Sequence, residues 1–180
     1  MDYFEGLRAA IGYVCCDGGI GSTGCTTESF HVSRTYPTMK GFVTTIGTRP
    51  VNGQPPQVVL AVDCEMLYTV DGFELGRVTI VDRHLETVYD CFVKPKARIV
   101  DCNTRFSGLK LEDFESKGKL KVKSLEEVHK DLVGKLVCEE TCLVGQSLNA
   151  DLLSLKIIHN SVVDTALLFT KKKGGGLQCE

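Results

Sequence analysis

Apolar positions along this chain follow two different periods. The run Val58-Val59-Leu60-Ala61-Val62 is uninterrupted and largely β-branched, the pattern of a strand buried on both faces. Phe73 to Val81 and Thr87 to Val93 are two more strand-forming runs, and the short separator Asp82-Arg83-His84-Leu85-Glu86 makes them antiparallel neighbours. The period then lengthens. Ser124-Leu125-Glu126-Glu127 has the Ser-x-x-Glu form of a capping box, and Leu125, Val128, Leu132 and Leu136 recur at helical spacing, which predicts an amphipathic helix. Cys142-Leu143-Val144-Gly145 reads as another buried strand, Leu148 to Ile158 as a second helix, and Val162-Val163 as a strand ending at Asp164. Strands in succession, then strands alternating with helices, give a mixed α/β sheet with flanking helices.

The first part of the chain has no such pattern. Residues 1–46 are rich in Gly, Cys, Ser and Thr, with four glycines between Asp17 and Gly24. Residues 47–57, GTRPVNGQPPQ, hold three of the five prolines and read as an extended connector, because proline and the residue before it disfavour helix. The expected organisation is therefore a small Cys/His-rich segment over 1–46, a linker over 47–57 and the α/β domain over 58–180. A length of 180 residues suits one main domain with a small appendage. With 43% hydrophobic and 24% charged residues, neither wholesale disorder nor a fibrous repeat is expected.

A net charge of −2, from 21 basic and 23 acidic residues, excludes a global field for polyanions and leaves only local contacts. No apolar stretch is long enough to cross a membrane, and Asp2, Glu5 and Arg8 break up any secretory leader. The expectation is a soluble intracellular chain without a membrane partner.

Candidate chemistry begins at the end of the first buried strand. In Asp63-Cys64-Glu65 the carboxylates stand at i and i+2, so extended backbone points both to one face. Two like charges side by side are unfavourable unless something positive lies between them, and hard oxygen donors suit Mg²⁺ or Mn²⁺. A plainer reading puts both acids on a solvated strand end. Asp151 shares a helical face with Leu148 and Leu155, which sets a third carboxylate on or beside a buried stripe. Alone, it would equally serve the helix dipole in the first turn.

Taken in order and spacing, AVDCEMLYTVDGFELGRVTIVD, VYDCFVKPKARIVDCNTRFSGL and LVGQSLNADLLSLKIIHNSVVDTALLF resemble the RNA exonuclease 1 group of DEDDh 3′-to-5′ exonucleases, over about Val58 to Phe169. The resemblance implies a ribonuclease-H-like fold and removal of nucleotides from RNA carrying a free 3′ end, with two divalent ions. It assigns Asp63 and Glu65 to the first acidic motif and Asp151 to the second. It matches Met66 to a residue packed near the terminal nucleotide and sets Arg105 and Ser107 in a loop close to the substrate cleft. From the residues alone, Arg105 equally suits a surface pair with Asp101. Asp164 matches a position expected to support the site, and a nuclear location is implied as well.

The resemblance also marks departures. The family continues past the VVDT strand with helices carrying a histidine and a fourth aspartate, whereas here KKKGGGLQCE follows Phe169. The expectation is a C-terminally truncated exonuclease domain lacking its general base and one ligand, impaired in turnover, with an apolar face open to a protein partner. Gln146 stands where the group usually has histidine. The rival expectation is a non-catalytic nucleic-acid-binding or interaction module derived from such an exonuclease.

Nine cysteines in a reducing compartment read as buried thiols or metal ligands rather than a disulfide framework. Cys15, Cys16, Cys25 and His31 combine thiolates and imidazole in a way that suits tetrahedral Zn²⁺, although the spacing is not of the common Cys-x2-Cys form. Free thiols are the alternative. Some members of the resembling family carry a similar segment ahead of the exonuclease domain, which favours structural zinc. Lys117, Lys119, Lys121 and Lys123 alternate and suit either phosphate contact or a solvated loop. Lys171 to Lys173 suit a soluble tail or nuclear import.

Overall fold

The computed structural model describes residues 12–13, 18–19, 40–50, 58–115, 118 and 120–169. The chain divides into two compact units, Met1–His31 and Val32–Glu180. In the first, β1 (Gly12–Tyr13) pairs antiparallel with β2 (Gly18–Gly19). Cys15, Cys16, Cys25 and His31 lie outside the described residues.

The second unit is built on a seven-stranded mixed sheet. Its long strands are β4 (Val59–Thr69), β5 (Gly72–Asp82) and β6 (Thr87–Val93), antiparallel in succession. Asp82 shapes the β5–β6 turn by accepting the N–H groups of His84 and Glu86. On one side β8 (Lys121–Lys123) runs parallel to β6, and on the other β9 (Cys142–Gly145) and β11 (Val162–Asp164) continue parallel from β4. The short β7 (Ile99–Asp101) joins β4 antiparallel at Tyr68 and Thr69. The pairing order is β11-β9-β4-β5-β6-β8.

Helices cover one face. α2 (Leu125–Leu132) has the expected capping box, with the Ser124 hydroxyl accepting the Glu127 N–H and the Glu127 carboxylate accepting the Ser124 N–H. α3 (Leu148–Leu155) lies nearer β4. Leu60, Val62 and Cys64 of β4 pack with Val128 and Leu132 of α2 and with Leu148 and Leu155 of α3. A smaller cluster of Leu67, Cys102, Leu109 and Phe114 forms around α1 (Thr104–Ser107) and the 3-10 turn Leu111–Glu115 that follows it. The β11 edge and α4 (Thr165–Leu168) leave Val162, Leu167, Leu168 and Phe169 exposed.

Three expectations change. The helix predicted through Leu136 ends at Leu132, because Val133 turns extended and Gly134 takes a positive φ of 75°. The helix predicted to Ile158 ends at Leu155, where Lys156 adopts a left-handed φ of 52°. Ile157–Ile158 then forms β10, as suits β-branched residues, and pairs parallel with β3 (Val43–Thr44). The stretch expected as one segment over 1–46 is consequently divided, since β3 belongs to the second unit, where it pairs with β10. His159 fastens the same region: Thr45 Oγ1 lies 2.6 Å from its Nδ1, and its Nε2 meets the carbonyls of Thr141 and Ser161 at 2.7 and 3.1 Å.

Candidate active site

Strand β4 is paired with β5 along its length, but its other edge is shared. There β9 covers Val59–Ala61 and β7 covers Tyr68–Thr69, so among the described residues Val62–Leu67 has no strand partner on that side. Asp63, Cys64 and Glu65 fall within this opening, at the carboxyl end of the parallel β4–β9 pair, where open α/β sheets commonly bind ligands. Alternation sets Asp63 and Glu65 on the face opposite the buried Val62 and Cys64 side chains.

Asp151 reaches the opening from the first turn of α3 and is only 5% exposed. Its Oδ1 accepts the Cys64 N–H at 3.0 Å, filling the place a neighbouring strand would have taken. Two features bring α3 this close. A Cβ at Gly145 would meet the Val62 carbonyl oxygen at 3.0 Å and Leu148 Cδ1 at 2.9 Å, so only glycine allows this approach. Asp164 then accepts the N–H groups of Ser147 and Leu148 at 2.9 and 3.1 Å, anchoring the start of α3 in place of a Ser147 side-chain cap. Asp164 thus fixes the start of the helix that carries Asp151.

The electrostatics bind these acids together. Burial, and then the charge of Asp63, push the Asp151 carboxyl up to about 6. Burial and Asp63 also raise Glu65, against the opposing pull of Arg77. The Cys64 thiol is raised by burial and by Asp151 and Asp63. Arg77 stands directly across the ladder from Glu65. Its Nε and Nη2 donate to the two carboxylate oxygens of Asp90 at 2.9 and 2.8 Å, and its guanidinium lies 5.8 Å from the Phe92 ring centre. Sequence reasoning missed Arg77 and Asp90. The available signal was the polar pair Arg77 and Thr79 set at alternate positions within an apolar run.

The acids share a field rather than a ready-made cage. Among the described residues, no group of three or more His, Cys, Asp or Glu side chains is arranged to hold a metal ion. The Asp151 carboxylate is met instead by the Cys64 N–H. The donor chemistry nevertheless fits Mg²⁺ or Mn²⁺: the groups are hard carboxylate oxygens, and the charge that raises Glu65 and Asp151 is what a divalent cation would offset.

The remaining predicted residues are placed as follows. Met66 is half-buried and packs against the main core beside the opening. Arg105 is exposed on α1, with its guanidinium 5.9 Å from the Phe106 ring centre. Ser107 is used by its own loop, donating to the Cys102 carbonyl at 2.7 Å and accepting the Leu109 N–H at 3.0 Å, so its hydroxyl builds the turn. Lys123 is likewise committed, to Asp131 and Tyr89.

Comparison with known proteins places the chain in a family. No family model matches the chain. The human RNA exonuclease 1 homolog is 42% identical over 163 residues, covering 90% of this chain and 13% of that protein. Exonuclease GOR of Pan troglodytes is 43% identical over 158 residues, covering 87% of this chain and 22% of its own length. The chain thus spans less than a quarter of either relative. Among solved structures, the Pan2 pseudoubiquitin hydrolase–RNA exonuclease module of Saccharomyces cerevisiae, in complex with AAUUAA RNA, superposes with a TM-score of 0.56 at 22% identity, over 71% of this chain and 25% of that one. That likeness shows the fold, a ribonuclease-H-like mixed sheet with flanking helices. Sequence and fold together make this chain a homologue of the RNA exonuclease 1 group of the DEDDh exonuclease family.

Proposed function

We propose that the α/β unit binds RNA at a free 3′ end and that its acidic opening is the site of 3′-to-5′ phosphodiester hydrolysis. The observation that carries this reading is the meeting of Asp151 with the Asp63–Glu65 segment, where β4 is paired with β5 on one edge and, among the described residues, with no strand on the other. Asp63, Glu65 and Asp151 would hold Mg²⁺ or Mn²⁺. Such ions supply an activated water and stabilise the leaving oxygen. The protein's own part is to keep Asp151 against β4 through Gly145 and Asp164, and to hold Arg77 in its fork with Asp90 opposite Glu65. Zinc at Cys15, Cys16, Cys25 and His31, and a nuclear site of action, belong to the same reading by family likeness.

A second reading, a non-catalytic RNA-binding module, is favoured by the histidines. Among the described residues, His159 is committed to Thr45, Thr141 and Ser161, His129 Nε2 meets the Leu155 carbonyl at 2.7 Å, and His84, on the β5–β6 turn, accepts from Arg83 Nε at 3.1 Å. None of the three is bonded to Asp63, Glu65 or Asp151. Incubation of 5′-labelled single-stranded RNA with the purified chain and Mg²⁺ or Mn²⁺, beside Asp63→Ala, separates the two. A ladder shortening from the 3′ end and absent in the variant supports hydrolysis. Equal inactivity of two folded proteins leaves the binding module.

A further inference from the structure

The turn that follows β7 is held from within at every step. Asn103 and Gly108 both take left-handed φ values, 56° and 69°, at the two ends of α1. The Asp101 carboxylate accepts the Asn103 N–H at 2.8 Å, and Thr104 Oγ1 donates to the Leu109 carbonyl at 2.6 Å. Ser107 Oγ ties Cys102 to Leu109. Below the turn, Leu109 is buried against Leu67, and a Cβ at Gly76 would strike Leu109 Cδ1 at 2.4 Å. A turn so fixed presents its side chains in one orientation.

That orientation leaves Phe106 62% exposed. A single exposed ring is ordinary by itself; this one stands on a turn fixed by its own hydrogen bonds and packed on the strand that carries the acids. The turn packs on β4, and Leu67, which it covers, shares a strand face with Asp63 and Glu65. Two residues of strand advance the chain only about 7 Å, so Leu67, beneath the aromatic turn, lies next to Glu65 at the edge of the acidic opening. Arg105 adds a cation beside the ring.

We propose that Phe106 is a stacking platform for a nucleobase of the RNA strand whose 3′ end enters the acidic opening; this rests on the RNA-binding reading above. A phenyl face accepts any base, so the contact contributes affinity and position without sequence preference.

The chain contains no tryptophan, so Phe106→Trp introduces a single fluorescent reporter at this point. In an Asp63→Asn background, where RNA is not consumed, this variant is titrated with a short single-stranded RNA in Mg²⁺. Affinities of Phe106→Trp, Phe106→Ala, Phe106→Leu and the Phe106 parent are measured in parallel by anisotropy of a labelled RNA. The expected results are strong quenching of the tryptophan at saturation and weakening of binding by about 5- to 100-fold in both the Ala and Leu variants. Binding that is unchanged in Ala and Leu, or an unquenched tryptophan at saturating RNA, overturns the stacking role and leaves the RNA-binding reading standing. A folded parent protein that binds no RNA overturns both.

Discussion

The Asp151 Oδ1 atom accepts the Cys64 N–H at 3.0 Å, and this one bond joins the helix-borne acid to the strand that carries the other two. It explains how a carboxylate only 5% exposed is tolerated beside Asp63. A buried carboxylate without such a donor would be costly.

The bond does not fully offset burial, and stability should therefore depend on pH. The Asp151 carboxyl is raised to about 6 in the fold, above its value in an unfolded chain near 4. Between these values the folded state binds more protons than the unfolded state, so stability falls as pH rises through this window. The expected loss between pH 4 and pH 7 is on the order of 2 kcal/mol in the absence of divalent ions. Urea unfolding across this range checks it: Asp151→Asn should lack this component, and adding Mg²⁺ to the parent at pH 7 should recover it. A parent that gains stability relative to Asp151→Asn over the window contradicts the assignment.

Asp164 offers a test of support rather than contact. It accepts from Ser147, Leu148 and Ala166, linking the starts of α3 and α4. Asp164→Ala should cost about 1–2 kcal/mol in chemical denaturation, the range for lost helix caps. It should also weaken Mn²⁺ binding, because α3 carries Asp151. Asp164→Asn, which keeps an acceptor, should lose less.

Gly145→Ala should be harmful for a steric reason, since the added Cβ would press on the Val62 carbonyl and on Leu148. A cost of about 1–3 kcal/mol is expected from overpacking. Thermal unfolding reads that cost, and Mn²⁺ titration of the folded fraction reads the accompanying displacement of Asp151 from β4.

Arg77 opposes the rise in Glu65 and is itself held by Asp90. Replacing it with Gln should raise the Glu65 carboxyl further and move the acid limb of Mn²⁺ binding to higher pH. Arg77→Lys, which keeps the charge, should move it less. Calorimetric titrations over a pH series give the comparison.

Much of this site could be read from the chain. Asp63 and Glu65 follow a buried strand run, and Asp151 falls on a helical stripe with Leu148 and Leu155, as local periodicity predicts. The opening itself could not be read, because it arises from β9 and β7 covering different stretches of one β4 edge, which is a matter of register between distant segments. Arg77 was hidden for the same reason, and Glu65 meets it only through the β4–β5 pairing. The end of α3 at Lys156 carries no glycine or proline signal, so the strand-forming pair Ile157–Ile158 was absorbed into the predicted helix. Ser107 was visible as part of a loop, but not its use of its hydroxyl to build that loop.

The proposed hydrolysis depends above all on Asp63, Glu65 and Asp151 holding divalent metal jointly. Mn²⁺ binding followed by electron paramagnetic resonance, in the parent chain and in Asp63→Asn, Glu65→Gln and Asp151→Asn, tests it directly. Saturable binding by the parent is expected, with a loss of tenfold or more in each variant, about 1.4 kcal/mol or greater. Parent-like affinity in any one of the three, with the fold intact, would contradict a shared site.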